Sequence, residues 1–219
     1  MLKKTKRPEW VGVAPGASHR NASPERTAGH AFDGHVQTLG LVGITNIEID
    51  PLEWMKGDLS TFALKAPYVL LIPGSAPERP EKRWPADKYG RLAKIIASMG
   101  YQPVLIGTKD EAEATAEIVE ICPESLDLTG RTNLKQIASL ARKSAGAIGN
   151  DTGPMHLIGA TGCPCLVLFS SPSDPIRHAP KGANVEVLQE NDLSDLKSEN
   201  VIEHFQPRTN APKQSSTMH

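Results

Sequence analysis

Between Tyr68 and Phe205, short apolar runs alternate with amphipathic segments across connections of only a few residues, which leaves few folds open to this chain. Tyr68–Ile72 is a continuous apolar run closed by Pro73-Gly74, the pattern of a strand buried on both faces. Tyr89, Leu92, Ile96 and Met99 then recur at helical spacing between Pro85 and Gly100, residues suited to starting and stopping a helix. The same reading gives strands at 102–106, 126–128, 145–149, 165–169 and 185–188. Helices are expected from Thr108 to about Cys122, around 134–141, over 154–161 and near 195–205. Strands that alternate with helices through short loops build a parallel sheet. We therefore expect an α/β fold over residues 66–206, a Rossmann-like parallel sheet with helices on both faces.

Residues 1–65 read differently. Residues 10–14 suit a strand, a loop-like stretch rich in Gly, Ser, Asn and His follows, and 32–40 suits a short helix. No complete domain assembles from them, so this incomplete N-terminal segment reads as the tail end of one. Residues 207–219 are polar and are expected to be a disordered tail.

Charge and cysteine content narrow the function classes. With 24 Lys and Arg against 25 Asp and Glu, the net charge is -1, and no basic field suggests a nucleic-acid partner. Lys3, Lys4, Lys6 and Arg7 lead into Pro-Glu-Trp instead of an apolar stretch, which excludes an ordinary secretory signal. This basic tip is either a solvated chain end or a contact for an anionic membrane surface. No apolar run approaches the roughly 20 residues that span a bilayer. The three cysteines, Cys122, Cys163 and Cys165, do not form a disulfide framework; Cys163-Pro164-Cys165 opens an apolar run and reads as core thiols, not as a metal site.

Three motifs carry chemistry. In Gly149-Asn150-Asp151-Thr152-Gly153-Pro154-Met155-His156 a strand ends, a tight turn follows and a helix begins. Ligands of open α/β sheets bind at the carboxyl ends of strands, and a helix start offers unpaired N–H groups to an anion. Thr152, Gly153 and His156 suit a pyrophosphate cradle; a capped helix with a packed histidine fits equally well. Asp-Thr-Gly also marks aspartic proteases, but those are built from β-strands. In Pro73-Gly74-Ser75 followed by Lys82-Arg83-Trp84, a hydroxyl and a cationic pair lie on the same sheet edge, and Lys82 or Arg83 can neutralise a diphosphate. The spacing is not that of a Walker loop. The alternative is a solvated basic pair with Trp84 as packing. Thr108-Lys109-Asp110-Glu111 fits a capping box, and the sequence favours that role for Glu111 over a carboxylate for ribose hydroxyls.

Taken in order, Pro-Gly-Ser, Lys-Arg-Trp-Pro, Ile-Gly-Thr-Lys-Asp-Glu, Leu-Thr-Gly-Arg-Thr-Asn-Leu, Gly-Asn-Asp-Thr-Gly-Pro-Met-His-Leu and Leu-Phe-Ser-Ser-Pro-Ser-Asp-Pro resemble the lipopolysaccharide heptosyltransferase family. The resemblance implies the C-terminal half of a GT-B glycosyltransferase, which transfers a sugar with inversion from a nucleotide-activated donor, typically ADP-heptose. The acceptor is a lipopolysaccharide core or related glycan or glycolipid, and neither metal nor cofactor is required. It places Lys82 on phosphate with Ser75 beside it. It places Glu111 on the ribose as well as in the cap, Asp151 on sugar hydroxyls, and Thr152, Gly153 and His156 around the diphosphate. It makes residues 1–65 the remnant of an acceptor-side domain. The family's general base belongs to that domain, and no residue here matches its motif. A truncated, catalytically inactive nucleotide-sugar-binding module is therefore the competing expectation. A sugar-nucleotide epimerase of the same fold is disfavoured by Lys-Arg-Trp-Pro. The resemblance also implies a cytoplasmic protein, with contact to the inner membrane surface and self-association through an exposed domain face as further expectations.

Overall fold

The structure, a computed structural model, describes residues 8–208. The basic residues at 3–7 and most of the expected tail lie outside the described residues. The chain divides into two compact units, Met1–Glu48 with Ile176–His178, and Ile49–Pro175 with Ala179–His219.

In the first unit, β1 (Val11–Gly12) pairs in parallel with β2 (His19–Arg20), and α1 (Ala31–Gly40) follows. The sequence pattern assigns β2 to a loop, because two residues between polar neighbours carry no alternation to detect. Asn21 is the one buried side chain among the described residues up to Glu48. Its amide donates to Gln37 Oε1 at 3.2 Å and Thr38 Oγ1 at 2.9 Å, so a polar contact, not an apolar core, closes this unit.

The second unit is a six-stranded parallel sheet. Its strands are β3 (Tyr68–Ile72), β4 (Gln102–Leu105), β5 (Leu126–Asp127), β6 (Gly146–Asn150), β7 (Cys165–Ser170) and β8 (Val185–Glu190). Their spatial order is β5-β4-β3-β6-β7-β8, and every neighbouring pair is parallel. Its helices are α2 (Ala86–Ser98), α3 (Ala112–Ile121), α4 (Leu134–Lys143), α5 (Gly153–Ala160) and α7 (Ser198–His204); the single turn α6 (Pro175–His178) falls, from Ile176 on, in the first unit.

Period-two alternation divides the core. Val69 and Leu71 join Leu92, Ile96, Ile118 and Val201, the apolar faces of α2, α3 and α7. Tyr68, Leu70 and Ile72 join Ile137, Leu140, Met155 and Ile158 from α4 and α5. Each such side chain fully buried stabilises the fold by about 1.5–3 kcal/mol against leaving it exposed. Helix ends are set by residue chemistry. Gly100 closes α2 at φ 84°. Asn133 and Gln136 form a capping box on α4. Thr108 and Glu111 form another, but the first turn after it, Lys109–Glu111, is a 3-10 turn and the α-helix begins at Ala112.

The sequence pattern divides the chain at residue 65, whereas the compact units divide after Glu48. The cause is a strap that packs on the sheet unit without any periodicity of its own. Gly57 N–H donates to Ser139 Oγ at 2.8 Å, Gln136 Nε2 donates to Asp58 O at 2.9 Å, and Arg142 donates to the carbonyls of Leu52 and Met55. Leu59, Phe62 and Leu64 add apolar contact with the α4 and α5 side of the core. At the other end, Pro207 and Arg208 are described, and Arg208 is tied down: its N–H reaches Ala145 O at 2.8 Å and its guanidinium reaches the carbonyls of Arg142 and Gly162.

A Cβ on Gly57 would lie 2.5 Å from the backbone nitrogen of Gln136, and backbone inside a helix cannot yield cheaply. Gly57→Ala is expected to destabilise the second unit by about 1–3 kcal/mol, the range for overpacking. Urea denaturation checks this, and an unchanged midpoint would show that the strap does not dock as described.

Candidate functional site

In the order β5-β4-β3-β6-β7-β8, connections leave β3 and β6 toward opposite edges of the sheet. Open α/β sheets bind ligands in the crevice that this reversal creates beyond the strands' carboxyl ends. Here the crevice lies between Pro73-Gly74-Ser75, following β3, and Asn150-Asp151, at the end of β6.

Asn150 is fully buried. Its Nδ2 donates to Pro73 O at 2.7 Å, with Gly74 O at 3.4 Å, and its Oδ1 accepts from Trp84 N–H at 3.2 Å and the Tyr89 hydroxyl at 3.0 Å. Burial pushes the Tyr89 phenol well above its ordinary pKa, so it stays protonated as a donor. Trp84 packs edge-on against Tyr89 at 4.7 Å between ring centres, and its Nε1 donates to Leu196 O at 3.1 Å. These contacts fix the Lys82-Arg83 turn over the strand ends.

Above this knot, Lys82 Nζ lies 2.6 Å from Asp151 Oδ2. The same carboxylate oxygen accepts from Ser173 Oγ at 2.5 Å. Both ion-pair partners are mostly buried, at 17% and 7% side-chain exposure, so solvent screens the pair weakly. Arg83 is bound elsewhere. Its Nε and Nη2 donate to Ser75 Oγ and Ser75 O, each at 3.2 Å. Of Lys82 and Arg83, either of which the sequence offers to a diphosphate, the structure pairs Lys82 with Asp151 and directs Arg83 into the loop. The Ser75 hydroxyl itself donates to Arg79 O at 3.0 Å, closing that loop. Arg79 in turn pairs with Glu81.

Beside the pair opens a cavity of about 710 Å³, within the range of small-molecule sites. Gly74, Ser75, Glu111, Leu134, Thr152 and Pro154 are among its lining residues. Glu111 is wedged between two glycines. A Cβ on Gly74 would lie 2.8 Å from Glu111 Oε1, and one on Gly107 would lie 3.2 Å from Glu111 Cβ. Its Oε2 accepts from Thr108 N–H and Thr108 Oγ1, both at 2.7 Å. Thr152 is the N-cap of α5 with extended backbone, yet its side chain makes no capping bond. Gly153 is exposed, with open space where a Cβ would stand. His156 is exposed one turn into α5, outside the cavity lining.

Ser75, Glu111 and Thr152 thus share one cavity, Lys82 and Asp151 form an ion pair, and Gly153 and His156 occupy the first turn of the adjoining helix. Sequence reasoning misses Asn150 as the tie between β3, β6 and α2, although an amide ending an apolar strand is a visible signal. It also misses Ser173, for which no local signal exists. Cys122, Cys163 and Cys165 are buried free thiols. Among the described residues, no group of three His, Cys, Asp or Glu side chains is placed to hold a metal.

The chain is similar to known proteins in sequence and in fold. Residues 47–206 match glycosyltransferase family 9 (heptosyltransferase). The chain is 32% identical over 128 residues to lipooligosaccharide heptosyltransferase 2 of Haemophilus influenzae, covering 56% of this chain and 36% of that protein. The structure of the Escherichia coli ADP-heptose lipopolysaccharide heptosyltransferase II superposes with a TM-score of 0.59 at 29% identity, covering 64% of this chain and 46% of that one. A family 9 glycosyltransferase from Veillonella parvula superposes with a TM-score of 0.66 at 25% identity, covering 84% and 60%. The chain spans a little over a third of the length of the heptosyltransferase relatives it matches in sequence.

The Asn150 knot can be tested without any ligand. Asn150→Ala leaves the Trp84 N–H and the Pro73 carbonyl buried without partners, and it is expected to cost at least about 2 kcal/mol of stability. Chemical denaturation measures the loss; a cost below about 0.5 kcal/mol would mean that the loop does not depend on this amide.

Proposed function

Because the chain belongs to glycosyltransferase family 9, the heptosyltransferases, we propose that the crevice over β3 and β6 binds a nucleotide-activated sugar donor of the ADP-heptose type. The observation that carries this reading is the partly buried Lys82–Asp151 pair at the switch point, 2.6 Å apart, beside a cavity that holds Glu111 and Thr152. One cation, one carboxylate for hydroxyls and one helix start are what a sugar diphosphate presents partners for.

On this proposal the nucleoside lies in the cavity, with Glu111 accepting from ribose hydroxyls. The diphosphate lies over the start of α5, where backbone N–H groups of the first turn, with Thr152, Gly153 and His156, meet its oxygens. Ser75 stands beside the phosphates as part of the loop that shapes the crevice wall. Lys82 neutralises charge on the diphosphate as it leaves, the term by which preorganised groups lower such barriers most. Asp151 takes hydroxyls of the sugar. In the whole enzyme the sugar passes with inversion to a lipopolysaccharide core or related glycan acceptor. Removal of the acceptor proton falls to a base outside this set of residues. The competing reading, a donor-binding module without transfer, uses the same residues and differs only in lacking that base.

Among the described residues no helix is long and apolar enough to cross a membrane. The proposed setting is the cytoplasm beside the inner membrane surface, where a glycolipid acceptor is presented, with copies of the chain associating through the face left for a partner.

Titration calorimetry with ADP tests the site. Binding is expected in the micromolar to millimolar range, about -4 to -8 kcal/mol. Lys82→Ala removes the cation and leaves the Asp151 charge facing the diphosphate, so it should weaken binding more than about 10-fold. Thr152→Ala should cost far less, because attraction at a helix start contributes only ~0.3–1 kcal/mol. Equal affinity for the parent chain and Lys82→Ala would remove Lys82 from the phosphate site. Gly74→Ala, which drives the Glu111 carboxylate from its seat, should weaken ADP while leaving inorganic pyrophosphate unaffected. Equal losses for the two ligands would take Glu111 off the ribose.

A further inference from the structure

Lys82 and an incoming diphosphate raise a problem of charge. Asp151 is 8% exposed, and its Oδ2 is shared by Lys82 Nζ at 2.6 Å and Ser173 Oγ at 2.5 Å. If Lys82 turns to a phosphate, a buried carboxylate loses its cation, and uncompensated buried charge is strongly disfavoured. Ser173 is the group positioned to meet that loss. It is 3% exposed, and its backbone N–H is fixed to Ser170 O at 3.0 Å in the turn that ends β7. The Asp151 N–H bonds Leu168 O at 3.1 Å, extending the β6–β7 ladder, so hydroxyl and carboxylate stand on adjacent strand ends of one rigid sheet. Lys82, by contrast, lies in the single 3-10 turn Pro80–Lys82, and its long side chain re-aims by rotation alone.

We propose that Ser173 is a positioning residue of this site: its hydroxyl holds the Asp151 carboxylate in place when Lys82 exchanges that carboxylate for the diphosphate of the ligand. Ser173 touches no ligand; it acts through Asp151. The exchange turns a resting ion pair into two separate contacts, cation to phosphate and carboxylate to sugar hydroxyls, without moving the backbone. This inference rests on the donor-site reading above.

The test is a cycle of variants titrated with ADP. Ser173→Ala is expected to weaken ADP binding by about 10-fold, because its bond to Asp151, made in both states, strengthens once Lys82 no longer shares that carboxylate oxygen. Ser173→Thr, which keeps the hydroxyl, should restore affinity to within about 3-fold. In an Asp151→Asn background no charge is stranded when Lys82 leaves, so adding Ser173→Ala should change affinity less than about 2-fold. A merely structural serine would lose the same affinity in both backgrounds, and that result overturns the inference. So does an unchanged affinity for Ser173→Ala alone, or a failure of Ser173→Thr to recover it. If the parent chain binds no ADP at millimolar concentration, the donor-site reading falls and takes this inference with it. Parent binding that ignores Ser173 removes this inference alone.

Discussion

The buried side chain of Asn150 has two N–H groups and two acceptor directions to satisfy, and it fills them from three backbone groups on two separate segments and one phenol. The Pro73-Gly74 turn, the peptide of Trp84 and Tyr89 on α2 are thereby fixed against the end of β6. The turn and the Trp84 peptide are not regular structure at the point of contact, so their positions depend on side-chain contacts, of which the Asn150 amide joins the most segments. In a low-dielectric interior a completed network of this kind is strong and a broken one is costly. Everything above it inherits its position: Lys82 lies two residues before Trp84, and Asp151 is the residue after Asn150.

The ion pair itself is poor support for the fold. Taking two charges out of water costs several kcal/mol per ion, and the attraction regained is often no better than packed apolar groups would give. A pair placed where it adds little stability, at the switch point of the sheet, is better understood as charge kept ready for a ligand. Its partial burial would strengthen the contact with phosphate proposed for Lys82. The surrounding cations then make sense by contrast. Arg83, with a planar fork of donors, is suited to holding the fixed loop at Ser75, and the flexible point charge of Lys82 is suited to changing partners.

How much of this is legible in the sequence depends on whether a feature is local. The strands β3 and β7 are readable because burial on both faces imposes nearly unbroken apolar runs. The Thr108–Glu111 cap is readable because its partners are three residues apart. The strap around Gly57 is not, since its hydrogen bonds run to residues about 80 positions away and impose no period on the chain. Ser173 is equally hidden: one serine in Ser-Ser-Pro-Ser says nothing about an aspartate 22 positions earlier. The division of labour between Lys82 and Arg83 is also illegible, because adjacent cations differ only in what the fold brings near each one.

Glu111 shows why the sequence alternatives of helix cap and ribose contact are not exclusive. An ionised carboxylate has about four lone-pair sites. The cap occupies Oε2 with the Thr108 N–H and hydroxyl, while Gly74 and Gly107 clear the space through which the same side chain reaches the cavity lining. The cap fixes the rotamer that a binding role would need, at no entropy cost when the ligand arrives. A side chain free to swivel would have to be ordered by the ligand; this one is ordered by the start of α3. The stabilising contact and the proposed contact therefore use different oxygens of one group, and the first makes the second more favourable.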